Sequence, residues 1–282
     1  MHPLEQLALD VAEGRTGPAD GERAAAALTA SGALGAAELV NWFRTAQWLA
    51  RQEDLWERAL LLGRLLAAAT EALPDTAAPG EVARCRSAWT ELVHLCVIHR
   101  PDGELFASGV RAGRAALDAA RALGDDELAG QVLYRLGTLH LDPFSRAGEL
   151  WAEEHRLWLS LGPRTALAGL PAPRDALRTA ERYLREAAEL RAGPGLGYTC
   201  KALAQALQQQ RFLTGADADA DADAGQDSEA AGSEAAGSEA ADSVAALCDR
   251  ALALIPVEDV EARAGVEALR TGSGQGPAAA RP

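Results

Sequence analysis

Apolar residues recur three or four positions apart along almost the whole chain, which is the spacing of one face of an α-helix. Residues 36–51 show the pattern well, because five apolar side chains there share a single face: Leu39, Trp42, Phe43, Ala46 and Leu49. No segment shows the alternation of apolar and polar residues that predicts a half-buried strand. Alanine and leucine dominate and β-branched residues are scarce, which also favours helix over sheet. The pattern therefore predicts an all-α protein.

Glycine, proline and acidic residues mark where the predicted helices begin and end. Gly124 ends one of them, and Asp125 or Asp126 is expected to cap the next. Asp54, followed three residues later by Glu57, predicts a capping box before another. With such boundaries the predicted helices cover residues 4–11, 22–30, 36–51, 55–73, 81–99, 103–123, 127–141, 145–161, 174–191, 196–214, 243–255 and 257–269.

A weak internal repeat indicates how these helices are arranged. The segment from Arg114 to Leu141 reads as the back helix of one helical hairpin, a tight acidic turn and the front helix of the next. Part of it recurs 67 residues later, with the small residues Gly137 and Ala204 in corresponding positions. That offset is close to two tetratricopeptide units of about 34 residues. We therefore predict a tetratricopeptide-like right-handed α-solenoid of about five or six irregular helical hairpins, which must stack to bury their apolar faces.

The same segment resembles the tetratricopeptide pattern at particular positions. Four residues stand where the front helix of that repeat has its large apolar, Leu, Gly and aromatic positions: Leu133, Leu136, Gly137 and His140. Ala116 and Ala120 resemble residues of the back helix. The resemblance implies a solenoid whose groove binds proteins.

Longer stretches resemble a more particular family. The stretches ELVNWFRTAQWLARQEDLWERALLL, LYRLGTLHLDPF, LWAEEHRLWL and ERYLREAAEL look like the helical N-terminal region of bacterial proteins that carry a caspase-like CHAT peptidase domain, over roughly residues 36–255. That peptidase domain is a strand-rich α/β fold with a paired His and Cys. This chain has no such pattern, nor the length for it beyond the repeats, so the resemblance implies a sensing or regulatory half without its peptidase.

The acidic segment 216–241 differs in composition from the rest of the chain. It repeats Ala, Asp, Ser, Glu and Gly and lacks large apolar residues, so we expect a disordered insert. The simpler interpretation is a tolerated loop expansion, because lengthening a surface loop costs little closure entropy. The alternative is that the acidic segment attracts a basic partner. The predicted organisation is short N-terminal helices at 1–35, a helical repeat domain at 36–215, the insert at 216–241, a terminal helical pair at 242–270 that completes the solenoid, and a disordered tail at 271–282.

Composition and charge exclude several classes of function. The 282 residues carry a formal net charge of −14, which disfavours nucleic-acid binding, since no basic patch is evident. The N-terminus shows no secretory signal, and the longest apolar segment, residues 59–69, is too short to span a bilayer. The four cysteines show no CxxC spacing. We therefore expect a cytoplasmic protein with reduced thiols and no membrane partner.

The predicted function is protein–protein recognition, with a partner helix or extended peptide in the solenoid groove. The front-helix positions expected to line the groove are Tyr134, Arg135, Thr138, Lys201 and Gln205. Trp151 and Trp158 form part of a stripe that is either core or a partner surface, since Trp is enriched at binding hot spots. Trp42, Trp48 and Trp56 present the same choice. Replacing Arg135 and Lys201 with Glu is expected to weaken partner binding without unfolding, and the oligomeric state is left open.

Candidate catalytic and metal-binding residues favour structural roles. Cys85, Cys96 and His99 share one helix face, but the two thiols are about three turns apart and cannot hold one metal, so core packing is favoured. The acidic residues at 125–127 lack the third carboxylate of a magnesium–diphosphate motif. We expect no catalytic residue, cofactor or metal. The alternative is a small helical enzyme with a pocket near His140 and His155.

Overall fold

The computed structural model describes residues 2–52, 54–100, 102–145, 169–224 and 233–271. Within these ranges all regular secondary structure is α-helical, which confirms the predicted class. The helices are α1 (Pro3–Ala12), α2 (Pro18–Ala30), α3 (Ala36–Ala50), α4 (Trp56–Glu71), α5 (Pro79–Val97), α6 (Gly103–Leu123), α7 (Asp126–Ser145), α8 (Pro173–Leu190), α9 (Gly193–Ala224), α10 (Ser233–Leu254) and α11 (Val260–Arg270). Ser145, predicted to cap a helix that runs to Leu161, is instead the last residue of α7, and the rest of that predicted helix lies outside the described residues.

Local signals explain several helix ends, and one predicted cap is wrong. Gly124 follows α6 with φ of +66°, and the Asp125 carboxylate caps α7 by accepting a hydrogen bond from the Leu128 amide at 2.9 Å. The expected capping box at Asp54 does not form, because α4 begins at Trp56 with no side-chain cap. The Leu55 amide instead bonds to the Gln52 carbonyl at 3.0 Å, a turn that leaves Asp54 outside the helix start.

The chain divides into two compact units, Met1–Leu139 and His140–Pro282, so the boundary falls inside the repeat domain predicted at 36–215. In the first unit, α5 packs against α3, α4 and α6. The helices can approach closely because glycines, which have no side chain, lie opposite large side chains of the neighbouring helix. A Cβ atom at Gly109 would lie 2.7 Å from a methyl of Val93, and one at Gly113 would lie 2.6 Å from a methyl of Leu136. These glycines bring α6 against α5 and α7.

The second unit contains α8 to α11, with α9 packed against α8, α10 and α11. Hydrogen bonds from polar side chains stabilise the turn between α10 and α11. Arg263 donates to the carbonyl oxygens of Leu252 and Ile255 at 2.6 and 2.9 Å, satisfying groups that the end of α10 leaves without helical partners. Tyr198 on α9 donates to Asp259 at 2.5 Å, which raises the pKa of the tyrosine and lowers that of the carboxylate.

The structure describes helix in two parts of the acidic segment, for which the sequence predicted a disordered insert. Helix α9 continues to Ala224 and α10 begins at Ser233, so helix enters the segment 216–241 from both ends. Alanine has the highest helix propensity, and it fills every second position of 216–224 and four of the nine positions of 233–241. Residues 225–232, and the tail at 272–282, lie outside the described residues.

Helix α8 is amphipathic, with Ala176, Ala180 and Leu184 buried and Arg178 and Arg185 exposed. Among the described residues, no helix combines the length and the apolar character needed to cross a bilayer.

Candidate functional site

The most distinctive surface of the first unit is formed by three neighbouring helices. Arg44 and Trp48 of α3 and the residue that follows this helix, Arg51, are spaced i, i+4 and i+7 and therefore lie on one side of it. Arg51 reaches across to Glu91 of α5, and Glu91 also contacts Arg135 of α7. We call these five residues the α3–α5–α7 face. Its tryptophan is 59% exposed, whereas large apolar residues are normally buried.

Glu91 links the three helices through its carboxylate. One oxygen lies 2.9 Å from Nη2 of Arg51, and the other lies 2.5 Å from Nη2 of Arg135. The two arginines differ in environment, because the Arg135 side chain is 17% exposed and that of Arg51 is 54% exposed. Arg135 also donates to the Ser87 hydroxyl at 2.7 Å. Arg135 is therefore the structural partner of Glu91, and Arg51 is the outer one.

Burial lowers the pKa of the Arg135 guanidinium, while the adjacent Glu91 carboxylate acts in the opposite direction. An arginine is not deprotonated in proteins, so the Arg135 guanidinium stays charged. A neutral bond supports the same junction, since the Gln47 amide of α3 donates to the Ala88 carbonyl of α5 at 3.0 Å. The backbone beneath the face is therefore held by both charged and neutral bonds.

The residues predicted to line a groove fall in several places. Tyr134 is half-buried, and Thr138 is buried and donates to the Arg135 carbonyl at 3.2 Å. Because Arg135 is tied to Glu91, replacing it with Glu would set two carboxylates together, and the expectation that this change leaves the fold intact is not supported. Lys201 and Gln205 are half-buried residues of the second unit.

Trp151, His155 and Trp158 lie outside the described residues. Of the predicted set, the described structure therefore brings Tyr134, Arg135 and Thr138 together on α7, with Arg135 within reach of α5. Whether the full set forms one binding groove stays a prediction.

The three N-terminal tryptophans have different surroundings, a distinction that their sequence spacing left open. The Trp42 ring lies 5.2 Å from that of His2, and the Trp56 ring stacks on His99 with centroids 5.7 Å apart. Trp48 instead points away from the packed side of α3. The sequence contained a signal for the exposure of Trp48, since this residue lies outside the apolar face formed by Leu39, Phe43 and their neighbours. Its actual exposure also depends on which surfaces other helices cover.

The two cysteines of α5 belong to the core, as predicted. Cys85 and Cys96 are fully buried and point to the carbonyls of Ala36 and Trp56, respectively. Burial raises the pKa of Cys85 to about 11 and that of Cys96 to about 12, so both thiols are protonated at neutral pH. Among the described residues, no three His, Cys, Asp or Glu side chains are grouped closely enough to hold a metal ion.

His140 does not occupy an open cleft in the described structure. Its side chain is buried, and its ring lies against that of Tyr183 with centroids 5.9 Å apart. This arrangement supports a packing role for His140.

A separate groove of about 830 Å³ runs between α4 and α6, with α5 as its floor. Its walls contain small residues, including Ala67, Ala112 and Ala115. Its charged lining is balanced, with three arginines and three glutamates: Arg64, Arg86, Arg111, Glu22, Glu71 and Glu104. The groove therefore selects weakly by charge, unlike the α3–α5–α7 face.

Comparison of the chain with protein-family models, curated proteins and solved structures found no match. Its function is therefore inferred from the geometry of the described residues.

Proposed function

We propose that the protein is a recognition module that binds another protein through the α3–α5–α7 face. The observation that carries this proposal is Trp48, an exposed indole flanked by Arg44 and Arg51 on the surface of a well-packed helix. Tryptophan and arginine are the residues most enriched at binding hot spots. An exposed tryptophan has no role in the core of its own unit, so contact with a partner explains its position.

A tetratricopeptide-like arrangement of α3 to α7 is part of the proposal. It is supported by the contacts of α3 with α4 and α5, of α4 with α5, and of α5 with α6. The contact of Arg135 with Glu91 adds α7 to the side of α5 that Arg51 approaches. In such an arrangement α3, α5 and α7 are the front helices that line a concave surface, where solenoids bind their partners.

The resemblance to CHAT-associated helical regions makes a caspase-like peptidase the partner class to test first. The purified chain would be titrated with such a peptidase, and with peptides selected from a random library, using wild-type protein and the Trp48→Ala variant. We expect the substitution to weaken binding by about tenfold or more, as at other tryptophan hot spots. Equal affinity of the two proteins for every ligand would exclude Trp48 from the binding surface and overturn the proposal.

A further inference from the structure

We infer that the α3–α5–α7 face binds an acidic peptide segment that also carries an apolar side chain. This inference rests on the proposed function and names the chemistry of the partner. The apolar side chain packs against Trp48, and carboxylates of the segment pair with Arg44 and Arg51.

The face is positively charged within a negatively charged chain. It holds three guanidinium groups and a single carboxylate, while the whole chain has a formal net charge of −14. Arg44 donates to the neutral side-chain oxygen of Asn41 at 3.3 Å, and no ion pair of the described residues includes it. The charge of Arg44 is therefore available to a partner carboxylate.

Glu91 neutralises only one of the two arginines that it contacts. Arg135 is the deeper of the two and has the shorter contact, at 2.5 Å against 2.9 Å for Arg51. Arg51 can turn from Glu91 to a partner carboxylate without leaving Glu91 unpaired, since Arg135 stays in place. This exchange replaces one ion pair by another and gives the partner a site for a second acidic residue.

A polyanion such as RNA is a poorer fit than a short acidic segment. The acidic residues elsewhere on the chain repel a long charged strand, and each added phosphate increases that repulsion. A short segment meets the arginines at contact distance, whereas charges further than about 8 Å away are largely screened at physiological ionic strength. Contact with the indole requires an apolar side chain beside the carboxylates, which peptides supply.

The test uses the intact purified chain to select binders from a random peptide library. We expect the enriched peptides to have net negative charge and at least one large apolar residue. For one synthetic enriched peptide, Trp48→Ala should weaken binding by about tenfold or more, and Arg44→Gln with Arg51→Gln by about three- to tenfold. The matched control is Arg64→Gln with Arg111→Gln, two exposed arginines of the groove between α4 and α6, which should leave the affinity unchanged.

A second arm alters only the peptide, so its result does not depend on how well a variant folds. Replacing the acidic residues of the peptide by their amides should weaken binding to wild-type protein as much as loss of the two arginines does. Enriched peptides that need Trp48 but are neutral or basic would overturn the inference and leave the proposed function standing. Tighter binding of a single-stranded oligonucleotide would also overturn the inference. A library that yields no Trp48-dependent peptide would count against both.

Discussion

The two arginines that contact Glu91 have different roles because they differ in exposure. The Glu91 carboxylate contacts two arginines of very different exposure, so the two ion pairs contribute unequally to stability. A buried charge that loses its partner is costly, whereas an exposed ion pair contributes little because water and salt screen it. The Arg135 pair therefore stabilises the fold, and Arg51 is available for binding.

Replacing Arg135 with methionine, which keeps most of its volume, should lower the free energy of unfolding by roughly 1–3 kcal/mol. The matched change Arg51→Met should lower it by less than about 1 kcal/mol, because that arginine is mostly exposed. Urea denaturation of the three proteins measures both effects. Equal losses for the two variants would show that the buried pair is no more important than the exposed one.

The buried thiols predict a dependence of stability on alkaline pH. Burial raises the pKa of Cys85 from 9.0 to about 11 and that of Cys96 from 9.0 to about 12. In that interval the unfolded chain loses these protons first, so the free energy of unfolding should fall as the pH rises. The contribution of the two thiols to this loss of stability is measured by urea denaturation at neutral pH and above pH 9. The experiment compares wild-type protein with the Cys85→Ala/Cys96→Ala variant. If both proteins lose stability equally, the two thiols are not the source of that loss.

At the scale of elements, α5 organises the first unit because it contacts helices on several sides. Such dense packing requires small residues where helices cross. Gly63 of α4 faces Trp89 and Leu92, and Gly109 of α6 faces Val93, all at distances too short for an added methyl group. The bulky side chains of α5 thus fit against glycines of its neighbours.

Gly109→Ala should therefore destabilise the protein by about 1–3 kcal/mol, since the new methyl group would overlap Val93 in a packed core. Gly80→Ala, in the first turn of α5, is the control, because its Cβ would lie 3.6 Å from Leu123 in ordinary contact. There the higher helix propensity of alanine should leave stability unchanged or raise it by up to about 1 kcal/mol. Thermal or urea unfolding distinguishes the two substitutions, and a neutral Gly109→Ala would mean that α6 can shift.

At the scale of the whole molecule, the chain consists of two units with their own buried residues. Leu92 of α5 is fully buried in the first unit, and Leu184 of α8 is fully buried in the second. Compact units of this kind often unfold as separate cooperative segments. We therefore expect the stability of one unit to be independent of that of the other.

Two matched leucine substitutions test that independence. Leu184→Ala and Leu92→Ala should each cost roughly 2–5 kcal/mol, because each removes a fully buried side chain. Hydrogen exchange should then increase in α8–α11 for the first variant and in α3–α6 for the second. An increase throughout the chain in either variant would show that the two units unfold together.

Much of the fold could be predicted from the sequence because local rules determine helices. The apolar spacing predicted the helix class and most of the helix positions, and Gly124 with Asp125 predicted a boundary that the structure confirms. The burial of Cys85 and Cys96 followed from the apolar face that they share. The sequence analysis did not predict helix at 216–224 and 233–241, where the composition includes many alanines, which favour helix.

The candidate surface depended on information that only the tertiary structure contains. Arg135 contacts Glu91, which is 44 residues away in the sequence on another helix, and no local pattern predicted this ion pair. Trp48 lies off the apolar face of α3 that the sequence predicts, but its 59% exposure also depends on which other helices pack beside α3. A helix can be predicted locally, because residues three and four apart share one face. Exposure and ion pairing depend on which faces of helices distant in the sequence pack together.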